Sequence, residues 1–155
     1  MIKINKKVEY ALMSLKYIAS KKDEEHLISA REICEKFGAP FDTTAKVLQI
    51  MNSKGIVKSV KGIKGGYALS TDLDTVTYMD LVRLIEGKDQ SHFCQNSKGI
   101  CDLYSSCNIV TPLEQLNSRV NDFLEDLKLS ELLFGENYSE NKKIENNTSS
   151  PMEEL

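Results

Sequence analysis

Residues 55–70, "GIVKSVKGIKGGYALS", restrict the possible folds of this chain more than any other stretch. Residues 56–60 are rich in branched apolar side chains and favour a strand, whereas the glycines and lysines of residues 61–66 favour a turn. Residues 67–69 favour a returning strand, so the whole stretch predicts a β-hairpin. A hairpin that follows directly after two short helices is typical of a winged helix.

The two helices before the hairpin are predicted by their caps and by their apolar spacing. In "SAREICEKFG", Ser29 and Glu32 form a capping box, and Gly38 is a typical C-terminal stop. Cys34 falls on the apolar face of this helix, so we expect a core residue rather than a functional thiol. The next helix covers "TAKVLQIMNSKG" and stops at Gly55. Together the two helices predict a helix-turn-helix.

The formal net charge is −3, but its uneven distribution is more informative than its total. Lysines crowd the first helix and the hairpin, while acidic residues collect near the C-terminus. On the hairpin, Lys58, Lys61 and Lys64 are expected to contact phosphates or the minor groove. The polar residues of the preceding helix expected to face the major groove are Asp42, Thr43, Thr44, Lys46 and Gln49. The pattern predicts binding to double-stranded DNA.

Two further helices are predicted after the hairpin. Thr77 and Asp80 cap the short helix in "YMDLVRLIEG", and "TPLE" at residues 111–114 begins a longer one. The apolar residues of the longer helix recur at heptad spacing and are Leu113, Leu116, Val120, Phe123 and Leu127. Such a seam needs a partner. We expect this partner to be the same helix of a second subunit, and packing on the chain's own domain is the alternative.

Three of the four cysteines, Cys94, Cys101 and Cys107, lie in a polar segment without helical or strand periodicity, so we expect a loop there. Structural zinc sites usually take cysteines in pairs about two to four residues apart. Here six residues separate the first two cysteines and five separate the last two. Soft thiolates select iron-sulfur clusters as well as zinc or copper. An iron-sulfur cluster, a zinc site and a metal-free thiol switch all remain open.

Several functional classes are disfavoured by the sequence. No apolar run approaches the roughly 20 residues of a membrane span, and the N-terminal residues lack a signal-peptide apolar region, so we expect a cytoplasmic protein without a membrane partner. In a reducing cytosol, four cysteines favour metal or redox chemistry over a disulfide framework. The chain has two histidines and neither a nucleophile elbow nor a phosphate loop. We therefore expect no enzymatic activity.

The stretches "VEYALMSLKYIA", "ISAREICEKFGAPFDTTAKVLQIMNSKGIVKSVKGIKGGYALS" and "TYMDLVRLIEG", followed by a loop with three cysteines and a final helix, resemble the Rrf-two family of winged-helix transcription regulators. The resemblance extends from about Lys3 to Leu133, and the wing "KGIKGGYALS" is its most specific part. It implies a mainly α fold with a small β-hairpin wing and a long C-terminal dimerisation helix. It also implies a homodimer that binds a palindromic operator.

The resemblance also suggests ligands for an iron-sulfur cluster. In the family's iron-sulfur members the three loop cysteines hold the cluster, which assigns Cys94, Cys101 and Cys107. IscR-like members add a histidine shortly after the third cysteine, but "CNIVTP" contains none. NsrR-like members, which carry a 4Fe-4S cluster, use a carboxylate of the first helix, where Glu9 stands in place of Asp. We therefore favour a 4Fe-4S over a 2Fe-2S cluster, with Glu9 as fourth ligand and His92 as the alternative.

These observations predict four segments. They are a winged helix-turn-helix DNA-binding domain (1–88), a cysteine cluster-binding loop (89–110), a dimerisation helix (111–134) and a disordered polar tail (135–155). The predicted function is that of a dimeric repressor whose DNA affinity depends on a cluster that senses nitric oxide, oxygen or iron-sulfur supply. The alternatives are a metal-free or zinc-bound cysteine redox switch of the same fold, and an iron-sulfur carrier protein.

Overall fold

The computed structural model of the chain describes residues 4–21, 27–87, 95–96 and 99–135. The elements in chain order are α1 (Lys6–Ser20), α2 (Ala30–Phe37), α3 (Phe41–Ser53), β1 (Val57–Val60), β2 (Gly66–Leu69), a short 3-10 helix (Leu73–Thr75), α4 (Tyr78–Glu86), β3 (Gln95–Asn96), β4 (Gly99–Ile100), α5 (Val110–Asp126) and α6 (Leu129–Phe134). The expected mainly α fold with a β-hairpin wing is confirmed. None of the helices described is long and apolar enough to cross a lipid bilayer.

Local sequence signals set the ends of the helices. The backbone N–H of Glu32 donates to Ser29 Oγ at 3.1 Å and caps α2, and Gly38 ends this helix in the left-handed region at φ 65°. At α4 the capping box is complete, because Thr77 N donates to Asp80 Oδ2 at 3.0 Å and Asp80 N donates to Thr77 Oγ1 at 3.1 Å. These ends were predicted correctly because caps depend on neighbouring residues alone.

The hydrophobic core lies among α1, α3 and α4, and the C-terminal helices cover one side of it. Leu15 of α1, Leu48 of α3 and Leu81 of α4 are completely buried. Leu124 of α5 and Leu129 of α6 belong to the same core. Burying a leucine side chain contributes roughly 1.5–3 kcal/mol, so α5 and α6 are anchored to the winged helix of their own chain.

Thr44 is buried, so the expectation that it faces outward is wrong. It lies on one face of α3 with Val47, Leu48 and Met51, at the spacing that places residues on one side of a helix. Its relative exposure is 0%, and its Oγ1 is the buried side-chain oxygen without a hydrogen-bond partner within the described residues. Position on the helix face, and not polarity, determines where this side chain points.

Cys34 is only partly buried, which corrects the expectation of a core thiol. It lines an open depression between α2 and the start of α3 together with Arg31, Glu35 and Phe41. The core-facing residue of α2 is Ile33, which is completely buried. Ala30, one turn earlier on α2, packs against the core in part.

A third segment of backbone pairs with the hairpin, which the sequence did not predict. In the two-stranded register, Val57 pairs with Leu69 and Val60 with Gly66. In addition, Ile28 N donates to Tyr67 O at 3.1 Å and Tyr67 N donates to Ile28 O at 2.8 Å. The chain segment before α2 therefore lies along the outer edge of β2 and joins the hairpin to the helix-turn-helix.

The cysteine segment and the start of α5 differ in detail from the predictions. Gln95 pairs with Ile100, and Asn96 pairs with Gly99, in a two-residue hairpin within the segment expected to be a loop. The helix α5 begins at Val110, without a side-chain cap, and not at the predicted Thr111–Pro112 start. Pro112 is the third residue of α5, and proline is tolerated there because the first four N–H groups of a helix have no intrahelical acceptor.

The single helix expected over residues 111–134 is in fact two helices. Leu127 ends α5 in an extended conformation, and Lys128 precedes α6 in another. The backbone there bonds to the segment before α4, because Tyr78 N donates to Leu127 O at 2.8 Å and Leu129 N donates to Val76 O at 2.9 Å. These hydrogen bonds between distant segments of the same chain replace the helical hydrogen bonds at the joint. Leu127 consequently lies at the joint and not within a continuous seam.

We expect Thr44→Val to raise the free energy of unfolding by about 1 kcal/mol, because it removes a buried hydroxyl without a partner while keeping a branched side chain of similar shape. Urea unfolding followed by circular dichroism measures the change. Thr43→Val makes the same substitution at a half-buried neighbour and should alter stability by less than about 0.5 kcal/mol. A lower stability for Thr44→Val would show that the hydroxyl bonds to a buried water.

Candidate nucleic-acid interface and cysteine segment

Three of the polar residues predicted to face DNA form one exposed face of α3. Asp42, Lys46 and Gln49 are exposed and lie three to four residues apart, which puts them on the same side of the helix. Thr43 is half-buried at the edge of this face, and Thr44 points into the core. The exposed face therefore comprises three of the five predicted residues, with Thr43 at its edge.

The wing, defined as residues 57–69, carries three lysines and no acidic residue. Lys58, Lys61 and Lys64 are all exposed. From Thr43 to Thr71 the sequence contains five lysines and no acidic residue. Opposing carboxylates in neighbouring positions are thus absent from this stretch, which leaves a positive field that attracts phosphate groups.

Glycines give the wing a narrow tip. Gly62 has φ 123°, and Gly65 N donates to Gly62 O at 3.0 Å to close the turn. A Cβ at Gly65 would lie 2.3 Å from Val60 O, closer than any real contact. The two backbones therefore touch across the tip, and no side chain fits between them.

The end of α3 and the base of the wing are joined by direct hydrogen bonds. Ser59 N donates to Asn52 Oδ1 at 2.9 Å, and Ile56 N donates to Met51 O at 3.0 Å. Ser70, which follows β2, donates its N–H to the carbonyl oxygen of Ile56, which precedes β1, at 3.0 Å. Sequence reasoning missed Asn52, although its place in "MNSKG", at the end of a helix, is typical of a side chain that bonds to a following turn.

Ile63 lies at the tip of the wing, within the turn that the sequence predicts at residues 61–66. Its relative exposure is 107%, the largest among the exposed apolar residues of the described segments. The signal that could have identified it is compositional, since it is the only branched apolar residue within the glycine- and lysine-rich turn at 61–66.

Two of the three candidate cysteine ligands lie in the described part of the cysteine segment. Cys101 is exposed, Cys107 is half-buried, and both are free cysteines. Residues 101–106 form consecutive turns, in which Tyr104 N donates to Cys101 O at 3.0 Å. The hydroxyl of Tyr104 donates to Glu114 Oε1 at 2.8 Å, which ties the segment to α5. Cys94 and His92 lie outside the described residues.

Glu9 lies in the first turns of α1 and already has a partner. Lys6 Nζ donates to Glu9 Oε2 at 2.6 Å, and this hydrogen bond to the carboxylate raises the pKa of Lys6. Within the described ranges, no three His, Cys, Asp or Glu side chains are grouped closely enough to hold a metal ion. The described part of the structure therefore does not bring Glu9, Cys101 and Cys107 together into one metal site.

The predicted seam on α5 divides into a buried and an exposed part. Val120 and Leu127 pack against the chain's own core, and Leu113 is half-buried. Leu116 and Phe123 are exposed, at 51% and 62%. With Ile109, which is also exposed, they form an apolar stripe with one residue every seven.

The joint between α5 and the winged helix is reinforced by side chains. Both guanidinium Nη atoms of Arg83 on α4 contact the carboxylate of Glu125 on α5, with the Nη1 to Oε2 distance at 2.9 Å. Ser130 of α6, itself buried, donates to the carboxylate of Asp74. These contacts connect α5 to α4, and α6 to the segment that follows the wing.

Comparisons with known proteins agree with this architecture. The sequence profile of Rrf2, an iron-dependent transcriptional regulator family, matches residues 4–134. The regulator IscR of Vibrio vulnificus is 28% identical over 144 residues, which cover 93% of this chain and 82% of the relative. The repressor NsrR of Streptomyces coelicolor is 28% identical over 133 residues, which cover 85% of this chain and 88% of the relative.

A solved structure has the same fold. The oxidized form of CymR from Staphylococcus aureus superposes with a TM-score of 0.64 at 25% sequence identity. The superposition covers 86% of this chain and 97% of the other. The similarity therefore includes the C-terminal helices as well as the winged helix.

Proposed function

The chain belongs to the Rrf2 family of iron-dependent transcriptional regulators, and from this we propose that it is a cytoplasmic, dimeric repressor of operator DNA controlled by an iron-sulfur cluster. The observation that carries the DNA-binding part is the acid-free basic wing bonded directly to the end of α3. The family consists of transcription regulators, which agrees with the expected lack of enzymatic activity.

DNA contact by α3 and the wing is supported by their arrangement as one rigid unit. The exposed face with Asp42, Lys46 and Gln49 suits the major groove, where an α-helix fits and where amide and ammonium groups can reach base edges. The wing lysines suit the phosphates that border the adjacent minor groove. Because the Asn52 side chain fixes the wing relative to α3, both parts approach the duplex together.

Dimerisation is supported by the exposed apolar stripe of Ile109, Leu116 and Phe123. Its seven-residue spacing is that of a helix seam that packs against another helix. Antiparallel or parallel pairing of two copies of α5 would remove these side chains from water. Two winged helices joined in this way would match half-sites of a palindrome spaced about 34 Å, one helical turn of DNA.

The cysteine segment fits an iron-sulfur cluster by the chemistry of its donors. Cys101 and Cys107 are thiols that neither pack into the core nor form a disulfide, and soft thiolates are the ligands that such clusters require. Cys94 would be the third ligand. Glu9 would be the fourth, through the carboxylate oxygen that Lys6 does not contact, and His92 is the alternative. When bound, the cluster supplies a redox-active and nitric oxide-sensitive centre.

Coupling between this segment and DNA follows from how α5 is attached. Cys107 precedes the start of α5 by only three residues, and Tyr104 bonds to the first turns of the same helix. The other end of α5 is fixed to α4 by Arg83 and Glu125. A change in the order of the cysteine segment would thus alter the position of α5 and the distance between the two winged helices of a dimer.

A metal-free thiol switch is the second candidate function. The similar CymR of S. aureus is known in an oxidized form, and the exposed thiol of Cys101 is accessible to oxidants. The same coupling through α5 would then respond to oxidation of a cysteine. Iron analysis of the purified protein distinguishes the two candidates.

We expect the double variant Lys61→Ala, Lys64→Ala to bind all duplexes more weakly. It should lower the slope of log K against log salt by about 3.6 per bound dimer, since each of the four lost phosphate contacts contributes about 0.9. Titrations of a fluorescent duplex at several salt concentrations measure the slope. Lys128→Ala removes one positive charge at the α5–α6 joint, away from the wing, and should leave the slope unchanged. A parent-like slope for the double variant would mean that the wing does not touch DNA.

The two parts of the predicted seam should respond differently to charge. Leu116→Glu with Phe123→Glu should give folded monomers with weak operator affinity, because both side chains are exposed within the chain. Val120→Glu should instead lower the unfolding temperature, because Val120 packs on the core. Light scattering and thermal unfolding separate the effects. A double variant that remains dimeric would refute the interface.

The ligand assignment predicts a graded response in cluster content. Cys94→Ala, Cys101→Ala and Cys107→Ala should each prevent stable assembly, whereas Cys34→Ala, the matched control outside the segment, should behave like the parent. Glu9→Ala should still accept a cluster, because the three thiolates remain and the carboxylate oxygen is the weakest ligand of the set. It should lose the cluster quickly in air, because one iron then lacks its protein ligand. Iron and sulfide content and visible absorption after anaerobic purification measure these outcomes.

Two results would change the assignment. Lability in His92→Ala with a stable Glu9→Ala would make His92 the fourth ligand. If the parent contains no iron and zinc analysis is also negative, while Cys101→Ala abolishes its response to oxidants, the thiol switch replaces the cluster. Iron retained in all cysteine variants would contradict both functions for this segment.

A further inference from the structure

The exposed Ile63 stands out because of where it lies. Single apolar side chains on a protein surface are common, but this one occupies the tip of a hairpin whose other turn residues are glycines and lysines. With 107% relative exposure it contacts nothing that could stabilise the fold. Its position therefore needs an explanation other than packing within the chain.

The surroundings of Ile63 match the shape and charge of a DNA groove. Gly62 and Gly65 keep the tip to the width of two touching backbones, since a Cβ at Gly65 would lie 2.3 Å from Val60 O. Lys61 and Lys64 flank Ile63 in sequence and are both exposed. A narrow apolar tip between two cations suits a minor groove about 6 Å wide that is bordered by two phosphate backbones.

We propose that Ile63 enters the minor groove of the operator as an apolar wedge at a base step, while Lys61 and Lys64 contact the flanking phosphates. This inference rests on the proposed DNA-binding function and adds a residue that acts on the bases. Apolar side chains inserted at the minor groove partly unstack a base step and bend the duplex. Pyrimidine–purine steps yield most easily, so the wedge favours such a step beneath the wing.

The wedge and the lysines contribute to binding through different physics. A lysine that meets a phosphate releases a counterion, so its contribution falls as salt is added. An isoleucine gains from leaving water, and this gain is nearly independent of salt over the same range. The two contributions can therefore be separated by measuring affinity at several salt concentrations.

Duplex DNA is a better occupant for this tip than a protein partner. Val60 is the other exposed large apolar residue of the described wing, and it lies at the end of β1. Two isolated side chains among lysines make too small an apolar surface for a stable protein interface, which buries about 800 Å² per partner. The acid-free stretch from Thr43 to Thr71 favours a polyanion instead.

The test uses the full chain and an operator duplex selected by the parent protein from a random pool. A series of duplexes carries 2-aminopurine at one position at a time, so that unstacking raises fluorescence at the affected step. We expect the parent to raise fluorescence at one step in each half-site. Ile63→Ala should abolish this rise at saturating protein and weaken binding roughly tenfold, with the salt slope unchanged.

Two matched variants complete the design. Ile63→Val keeps a branched apolar tip and should retain most of the fluorescence rise and the affinity. Lys64→Ala should have the opposite effects: it should lower the salt slope by about 1.8 per bound dimer and keep the fluorescence rise at saturating protein. Thermal unfolding should be unchanged in the Ile63 variants, since the side chain is fully exposed.

The outcomes separate the wedge from the function on which it rests. If the parent binds no duplex, the proposed DNA-binding function fails, and the wedge fails with it. If the parent binds but Ile63→Ala keeps both affinity and fluorescence, the wedge alone is wrong. If Ile63→Ala changes the mass in light scattering and leaves DNA binding intact, Ile63 belongs to a protein interface and the inference is overturned.

Discussion

The pairing of Ile28 with Tyr67 is the contact on which the arrangement of the winged helix depends. It uses two backbone hydrogen bonds, and it requires Gly66, where a Cβ would lie 2.9 Å from the backbone of Ile28. Without this close approach β2 would have only one neighbour, and an isolated two-stranded hairpin is marginally stable in water. The pairing therefore fixes the wing to the segment that leads into α2, while Asn52 fixes it to α3.

A second backbone pairing determines the course of the C-terminal helices. Where the segment at Leu127 and Lys128 bonds to residues 76–78, the helix is interrupted, and α6 turns back onto the winged helix of its own chain. The α5 helix is therefore held at its C-terminal end, while its N-terminal end, next to Cys107, has no side-chain cap. This end is instead joined to the cysteine segment by the hydrogen bond from Tyr104 to Glu114.

Local features were predictable from the sequence, whereas long-range backbone contacts and the burial of Thr44 and Cys34 were not. The wing and the capped ends of α2 and α4 follow from neighbouring residues, so their positions were predicted closely. Thr44 was misplaced because polarity was given more weight than its position on the core-facing side of α3. The Ile28–Tyr67 pairing and the break at Leu127 involve backbone groups far apart in sequence, which periodicity cannot detect. The cluster ligands remain a prediction, since Cys94 and His92 lie outside the described residues.

The positions of the wing tip differ in how freely their side chains can change. Gly65 and Gly66 admit no side chain without moving a neighbouring backbone, so the course of the chain is fixed at these positions. The side chains of Lys61, Ile63 and Lys64 extend into solvent, where substitutions typically change stability by less than about 0.5 kcal/mol. Variation at these three positions therefore carries little penalty in folding, and the surface of the tip can change while the backbone that presents it stays the same.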